Sequence, residues 1–355
     1  MWATGTDAKN FHALVSAFIF GGAFFVHGNL VSIGKGTTIM KDSFAKLKAS
    51  KYYGFVLLAA MVVFFYAVFK LLTPENFGSP KNILSYLQSS IIYAVGGCGL
   101  YLIVVMGLFD FAVGANVVLS SIVGVICSTR FGYAGFIIGT LACATLIGVL
   151  IGFLYNTLRV PSMIVTVGLM LIFESIAVFV AGGSKQTLDP AYRFFSAPPG
   201  SLILAALAFA LMYFILNYTK IGTYCNAIGS NEYTAKNMGI DVKKYKLIGF
   251  TLLHFFVGIM AILTVSYGTT MTALTGMSTM SRNFKPLMGT FFGVAFRKYG
   301  TPITAIVVGE FIISIIFNGF IALGAPTTIQ NVVTGAALLI IVALTAREGK
   351  GAVVK

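Results

Sequence analysis

Long apolar runs separated by short polar connections set the pattern of this chain. A helix rises about 1.5 Å per residue, so about 20 apolar residues cross the roughly 30 Å hydrocarbon core of a membrane. Such runs lie near 54–72, 83–109, 111–128, 134–156, 162–182, 201–217, 247–267, 301–323 and 327–345. The stretch 268–296, rich in Thr, Ser, Met and Gly, predicts one broken span. The pattern therefore predicts about ten transmembrane helices with broken or half helices among them.

The N-terminal part holds an eleventh candidate. Residues 11–33 are apolar but short, and they either cross the membrane or lie along its surface, which leaves the side of the N-terminus open. They are not typical of a signal peptide, since Lys9 is the only early positive charge. We expect an N-terminal extension over 1–53 with this candidate segment and a basic cytoplasmic stretch. A transmembrane domain over 54–346 and a short basic cytoplasmic tail over 347–355 follow.

Composition excludes the water-soluble classes. Hydrophobic residues make up 58% of the 355 residues and charged residues only 10%, whereas a soluble domain carries about a quarter charged residues. Disorder requires low hydrophobicity and high net charge, so it is excluded as well. The predicted fold class is an all-α polytopic membrane protein.

The net charge of +14 reflects topology rather than nucleic-acid binding. Of the 24 Lys and Arg residues, sixteen fall in segments predicted to be cytoplasmic, chiefly 34–53 and 218–246. Five fall in segments predicted on the opposite side of the membrane, and three are not assigned to a side. Cytoplasmic loops are enriched in these residues, so the C-terminus is expected in the cytoplasm.

The four cysteines indicate no metal or redox site. They show no C-x-x-C spacing; Cys98, Cys127 and Cys143 lie in apolar runs, and Cys225 is expected in a polar loop.

One connection, 218–246, is longer than the others and predicts a short cytoplasmic helix. Ser230 or Asn231 can cap its start, and Gly239 can supply the left-handed residue that ends it. Asp241 can then cap a second helix that runs into the next span.

The short helix is expected to be held by a partner. Glu232 and Lys236 have the favoured four-residue spacing for an ion pair. Only about 8 residues long, the helix would be marginal alone in water. A cytoplasmic partner is an economical explanation, and an ordinary solvated connector is the alternative.

Three acidic residues lie within apolar runs, where charge is costly and indicates function by default. Asp110 is expected to cap a half-helix that starts at 111 and to aim its positive end at a pathway, or else to contact a ligand. Interhelical hydrogen bonds are favoured for Glu174 and Glu310, with ligand binding as the alternative.

Four stretches in order resemble one family over about 80–345. They are GTYCNAIGSNEYTAKNMGI at 222–240, DFAVG at 110–114, VPSMIVTVG at 160–168 and QNVVTGAALL at 330–339. They resemble the bacterial ABC-importer permeases of the ribose, simple-sugar and branched-chain amino acid type. The positions that match the cytoplasmic signature are Gly222, Ala227, Ile228, Gly229, Asn231, Ala235, Gly239 and Ile240.

The resemblance implies a type II-like importer permease bundle in the bacterial inner membrane. Such a subunit moves a small polar solute, such as a ribose-like sugar or a nucleoside, by alternating access. A separate ATPase, which binds ATP and Mg²⁺, would dock on the matching loop residues and Glu232. A solute-binding protein and a second permease chain, identical or homologous, would complete the assembly. The implied candidates for the translocation path are Asp110, Gly114, Asn116, Thr166, Glu174, Glu310 and Asn318.

This chain itself is expected to bind no cofactor and to catalyse no reaction. It has no G-x-x-x-x-G-K-[ST] motif, because Asn29 and Gly36 break the nearest match around Gly34-Lys35. The alternatives are a secondary transporter driven by an ion gradient, favoured by the three acids, and a membrane enzyme, for which no catalytic cluster is evident.

The chain also departs from the family pattern. Thr223 stands where relatives usually have Arg, and Ser230 where they often have Gly. A Gly-rich stretch expected before the last two spans is replaced by MSRNFKPLMGTFFGVAFRKYGTP at 280–302.

Overall fold

The computed structural model describes residues 53–326 together with 332, 335 and 336. The chain divides into Met1–Tyr53 and Gly54–Lys355, and every contact below lies within the second unit. The candidate segment 11–33, nearly all of the run 327–345 and the tail 347–355 lie outside the described residues.

Helices account for almost all regular structure in the described part, which confirms the all-α prediction. They are α1 Tyr53–Leu72, α2 Pro80–Val105, α3 Val113–Leu158, α4 Ser162–Ala181, α5 Gly200–Tyr218, α6 Lys220–Ser230, α7 Glu232–Asn237, α8 Val242–Ser266, α9 Phe284–Ala295 and α10 Pro302–Ala322. Short 3-10 turns lie at Pro190–Tyr192, Phe194–Ser196, Met280–Asn283 and Arg297–Tyr299. Seven of these helices are long and apolar enough to cross a membrane.

Helix α3 supplies two spans rather than one. Its 46 residues would reach about 69 Å as a straight helix, more than twice the hydrocarbon thickness. The chain reverses at Gly132, whose φ of 60° and ψ of −147° are not helical. A Cβ at Gly135 would lie 2.6 Å from the Cys127 carbonyl oxygen, so the two arms run side by side. The arms correspond to the predicted spans 111–128 and 134–156.

Two predicted spans have different boundaries in the structure. The predicted helix 83–109 ends at Val105, and residues 106–112 are unwound. The stretch 268–296 is broken as predicted, with an irregular part followed by a 3-10 turn and α9. The 12 residues of α9 give about 18 Å, which is too short to span.

The core is centred on α8, which packs against α2 and both arms of α3. Its inner face is fully buried, with Leu253, Phe256 and Val257 at 0% exposure. Small residues permit the close approach, as is common between membrane helices. At Gly148 on α3 a Cβ would lie 2.6 Å from His254 Cβ and 2.8 Å from the Phe250 carbonyl oxygen.

Replacing Gly148 with Val should therefore destabilise the bundle. A Cβ has no room there, so α3 and α8 must separate, at a cost of about 1–3 kcal/mol. Gly168→Val on α4 is the matched control, because nothing lies within 4 Å of a Cβ at that position. Thermal unfolding in detergent should show a lower midpoint for Gly148→Val only. Equal midpoints would contradict the packing described.

Candidate coupling and translocation site

The local signals in 218–246, the coupling segment, are confirmed. The Asn231 side chain accepts a hydrogen bond from Thr234 N at 3.0 Å and caps α7. Gly239 ends the helix with φ of +83°, and the Asp241 carboxylate caps α8 by accepting from Lys244 N at 3.1 Å. Helix α7 has six residues rather than about eight.

The start of the coupling segment is a helix that sequence reasoning missed. Helix α6 begins after Thr219, whose hydroxyl accepts from Ile221 N at 3.2 Å. Gly222 and Ile228 are buried, and Gly229 lies against the end of α2, where a Cβ would collide with the Val105 carbonyl oxygen. The signature residues of α6 thus seat it against the membrane helices. Ser230 does not cap α7, because its hydroxyl donates to a carbonyl within α6.

Cys225 lies inside this interface rather than in a polar loop. It is 1% exposed, and burial raises the pKa of its thiol to about 12. The expected polar loop was wrong, because residues 220–230 form a helix that buries the face carrying Cys225.

An ion pair ties α7 to the base of α8. Lys246 Nζ lies 2.9 Å from both carboxylate oxygens of Glu232, and it donates to the Tyr155 hydroxyl at 3.4 Å. The Lys246 side chain is only 10% exposed, so this pair is screened less than a surface pair. The predicted Glu232–Lys236 pair is not formed, because Glu232 faces α8 instead.

Two large apolar side chains at and just after α7 remain uncovered. Ala235 is buried and holds α7 against the bundle, while Tyr233 on α7 and Met238 at its C-terminal cap are each 75% exposed. They project from a segment held by caps and by the ion pair. Sequence reasoning missed them, since only the packing of α7 shows which of its side chains remain exposed.

Side chains from other elements form hydrogen bonds with backbone groups of the unwound segment 106–112. The Ser162 hydroxyl accepts from Phe109 N at 3.0 Å, and the Thr166 hydroxyl accepts from Phe111 N at 3.1 Å. Asn283 donates to the Phe111 carbonyl at 2.6 Å and accepts from Gly114 N at 2.5 Å. Backbone without these partners would be costly inside a membrane.

Asp110 lies at the centre of this arrangement. Its Oδ1 accepts from Ala112 N at 2.6 Å, and its Oδ2 lies 2.9 Å from His254 Nε2. The half-helix begins at Val113 rather than at 111. Asp110 therefore closes the turn before the helix, and its other oxygen joins α8.

Asn116 completes a group that we call the polar cluster, formed by Asp110, Asn116 and His254. Its Nδ2 lies 2.6 Å from His254 Nδ1 and donates to the Ala144 carbonyl at 3.2 Å. If the Asn116 side-chain amide were rotated by 180°, its oxygen would face the Ala144 carbonyl oxygen and repel it. Asn116 Nδ2 therefore donates both to the Ala144 carbonyl and to His254 Nδ1. His254 Nδ1 is then the acceptor and Nε2–H donates to Asp110, as in a neutral imidazole. All three side chains are buried.

Glu174 anchors the irregular stretch before α9. Its carboxylate accepts from Met277 N at 2.9 Å, from Thr279 N at 2.8 Å and from the Thr279 hydroxyl at 2.7 Å. The expected hydrogen-bonding role between elements is confirmed, although the partner is a loop rather than a helix.

The remaining predicted path residues lie apart from the polar cluster. Glu310 Oε1 accepts from Gly289 N at 3.0 Å, between α10 and α9. Asn318 donates to the Ser314 carbonyl at 2.8 Å within α10. The structure thus brings Asp110, Gly114, Asn116, Thr166 and Glu174 into one connected network and leaves Glu310 and Asn318 outside it.

Helix α8 connects the coupling segment with the polar cluster. His254 lies 12 residues from each end of α8, which is about 18 Å and places the cluster at mid-membrane depth. Lys246 lies on the same helix, eight residues earlier, or about 12 Å. A displacement of α7 therefore reaches Asp110 through a single helix.

Within the described residues, no group of His, Cys, Asp or Glu side chains could hold a metal ion.

Comparison with known proteins identifies similar chains. Residues 82–342 match the family described as branched-chain amino acid transport system / permease component. The chain is 28% identical over 311 residues to the D-allose transport system permease protein of Escherichia coli, covering 83% of this chain and 91% of that relative. It is 26% identical over 304 residues to the ribose import permease protein of the same organism, with 81% and 91% covered. An L-arabinose ABC transporter permease protein of Azospirillum brasilense is 25% identical over 283 residues, with 76% and 81% covered.

His254→Leu should destabilise the protein more than an ordinary loss of one hydrogen bond. It leaves Asp110 and Asn116 buried without their shared partner, and each unsatisfied group costs about 1–3 kcal/mol. Thr251→Val is the control, since that hydroxyl donates only to the Leu247 carbonyl of its own helix. The unfolding midpoint in detergent should fall clearly for His254→Leu and little for Thr251→Val. Similar midpoints would show that the cluster does not hold the helices together.

Cys225 should resist alkylation by maleimide in the folded protein. The thiolate is the reactive form, and both burial and a pKa of about 12 keep it scarce. Met238→Cys, on the exposed face of the coupling segment, provides a thiol that should react fully at pH 8 in the same preparation. Peptide mass spectrometry resolves the two sites. Equal labelling before denaturation would contradict the placement of α6.

Proposed function

The chain belongs to the branched-chain amino acid transport system / permease component family, and from this premise we propose that it imports a simple sugar with energy from a separate ATPase. It is a multi-pass membrane protein and a transport subunit rather than an enzyme. The three relatives are named as permeases for allose, ribose and arabinose. We therefore assign a small polar solute with several hydroxyl groups as the substrate class. A simple sugar is the member we favour, and a nucleoside is the alternative.

The rigid coupling segment is the observation that carries the proposal. Tyr233 on α7 and Met238 at its C-terminal cap present exposed apolar side chains, and the Asn231 cap and the Glu232–Lys246 pair hold this short helix in place. An exposed aromatic and an exposed methionine are typical of the anchors that protein interfaces use. We assign this face to the ATPase, which would supply the bound ATP and Mg²⁺.

Alternating access would follow from movement of α8. When the ATPase closes, it pushes α7, and the ion pair at Lys246 passes that push to α8. His254 then moves relative to Asp110, in the unwound segment, and to Asn116, at the start of α3. The polar cluster would act as a latch with two arrangements rather than as a permanent lining of the path. This role fits side chains that are buried and bonded to one another in the conformation described.

The remaining partners follow from the same premise. A solute-binding protein would deliver the sugar outside, and a second permease chain, identical or homologous, would enclose the path. The excess of Lys and Arg in 34–53 and 218–246 supports a cytoplasmic coupling segment and C-terminus. The family match supports the bacterial inner membrane as the location.

The contacts in the structure support an ion-driven transporter less well than the sequence alone did. The three acids favoured it, yet Asp110, Glu174 and Glu310 each accept hydrogen bonds from neighbouring elements. Asp110 and Glu174 hold irregular backbone, and Glu310 joins α10 to Gly289 within α9. These bonds account for the position of the three acids in the membrane without an ion site.

Tyr233→Ser and Met238→Ser should each lower ATP-driven uptake at least tenfold. The interface with the ATPase would lose an apolar anchor, while the fold would not change because both side chains are exposed. Phe131→Ser, an aromatic 72% exposed at the far end of the first α3 arm, is the control. Uptake of labelled D-ribose, D-allose and L-arabinose into proteoliposomes that contain the complete importer measures the effect.

Two results would contradict the proposal. Full uptake and normal ATPase co-purification in both coupling-segment variants would exclude the docking face. Uptake by the purified chain alone, driven by a Na⁺ or H⁺ gradient without any ATPase, would establish the alternative class.

A further inference from the structure

Lys285 lies between two aromatic rings inside the bundle. Its Nζ lies 5.0 Å from the centroid of the Tyr93 ring on α2 and 4.8 Å from that of the Phe317 ring on α10. Both distances are within the roughly 6 Å range of cation–π contacts. The side chain is half-buried, so part of it faces outward from the groove between α2, α9 and α10. We call these three residues the cation site.

The cation site is deep in the membrane. Tyr93 lies 12 residues from the nearer end of α2, which is about 18 Å along the helix. A lysine close to a membrane surface extends its amino group toward water. Lys285 instead keeps its charge beside Tyr93, held by the two rings.

No carboxylate neutralises this charge in the part of the chain that the structure describes. Lys285 has no ion pair within 4 Å there, and neither has Arg282, one turn earlier. Glu310 interacts electrostatically with Lys285 without pairing with it, and its Oε1 is bonded to Gly289 N. The three remaining acids, Asp7, Asp42 and Glu348, lie outside the described residues.

Hydroxyl and amide groups lie on the same helix faces as the two rings. Ser89 precedes Tyr93 by one turn, Ser314 precedes Phe317 by about one turn, and their oxygens lie 2.9 Å apart. Asn318 Nδ2 lies 3.3 Å from the Ser314 hydroxyl. The cation therefore borders a polar strip at membrane depth, which suits a hydroxylated solute better than a lipid chain.

We propose that the cation site binds an anionic group, a carboxylate or a phosphate, on the sugar that this chain transports. The inference rests on the proposed function and narrows it from simple sugars to acidic ones, such as sugar acids or sugar phosphates. Within the described residues the ammonium has no ion-pair partner within 4 Å, and Glu310, which interacts with it, is bonded to Gly289 N. An anion that arrives and leaves with each cycle would complete the site. Lys285 belongs to the stretch 280–302, where the sequence departs from the Gly-rich pattern of the family it resembles.

The test begins with the solute itself. The ligand that co-purifies with the cognate solute-binding protein is identified by native mass spectrometry and supplied in labelled form to the complete importer in proteoliposomes. We expect it to carry a carboxylate or a phosphate. Lys285→Met should lower its uptake at least tenfold, while Lys285→Arg should retain at least a third. Lys81→Met, which removes an exposed charge at the start of α2, is the matched control and should not change uptake.

Each other outcome has a distinct meaning. Identification of a neutral solute would overturn the proposed cation site. Uptake of an acidic solute by Lys285→Met at the same rate as by the unmodified importer would also overturn it. Both results would leave the proposal of ATP-driven import intact. Loss of the second permease chain from Lys285→Met preparations would show that the lysine pairs with a carboxylate of that chain, which also overturns it. Absence of ATP-dependent uptake in the unmodified importer would refute the proposed function instead. The charge of the solute is read independently of whether any variant folds.

Discussion

A backbone segment without helical hydrogen bonds inside a membrane must find its partners within the protein, and this requirement shapes the centre of the molecule. Water cannot satisfy amide groups at that depth, and each unsatisfied group costs several kcal/mol. Residues 106–112 leave the helix there, and their backbone groups bond to hydroxyls on α4, to the Asn283 amide in the turn before α9 and to the Asp110 carboxylate of the segment itself. The polar residues of the apolar spans are thereby explained as partners of irregular backbone.

The same requirement joins the unwound segment to the helix that carries the coupling contacts. Asp110 must bond to the turn, and its second oxygen reaches His254 on α8. Lys246 ties the base of α8 to Glu232 on the coupling segment. A series of polar contacts thus connects the exposed side of α7 with the middle of α8. Each connection is a short, buried or partly buried polar contact, which has discrete made and broken states rather than a continuous range.

Local chemistry made part of this structure predictable. Asn231, Gly239 and Asp241 act within four residues of their own positions, so their cap and stop signals could be read directly. The apolar runs gave the spans, because hydrophobic length is a property of a continuous segment.

Contacts between distant residues could not be read in that way. His254 and Asp110 are separated by 144 positions, and Glu174 and Thr279 by 105, so only the packing of the helices reveals them. Helix α6 was missed because Gly222 and Gly229 have low helix propensity, and close packing against α5 and α2 overrides it. The Glu232–Lys246 pair replaced the local alternative because Lys246 is partly buried and has no other acidic partner in the described residues.

Hydrogen–deuterium exchange of the unwound segment in lipid nanodiscs tests the central claim most directly. The amides of residues 107–109, 111 and 112 are bonded to side chains or to carbonyls of α2, so they should exchange as slowly as those of the flanking helices α2 and α3. The stretch 272–276, which is mostly exposed, provides the fast reference within the same molecule. Exchange at 107–112 as fast as in that stretch would mean that water, not the polar side chains, satisfies this backbone, and would contradict the account.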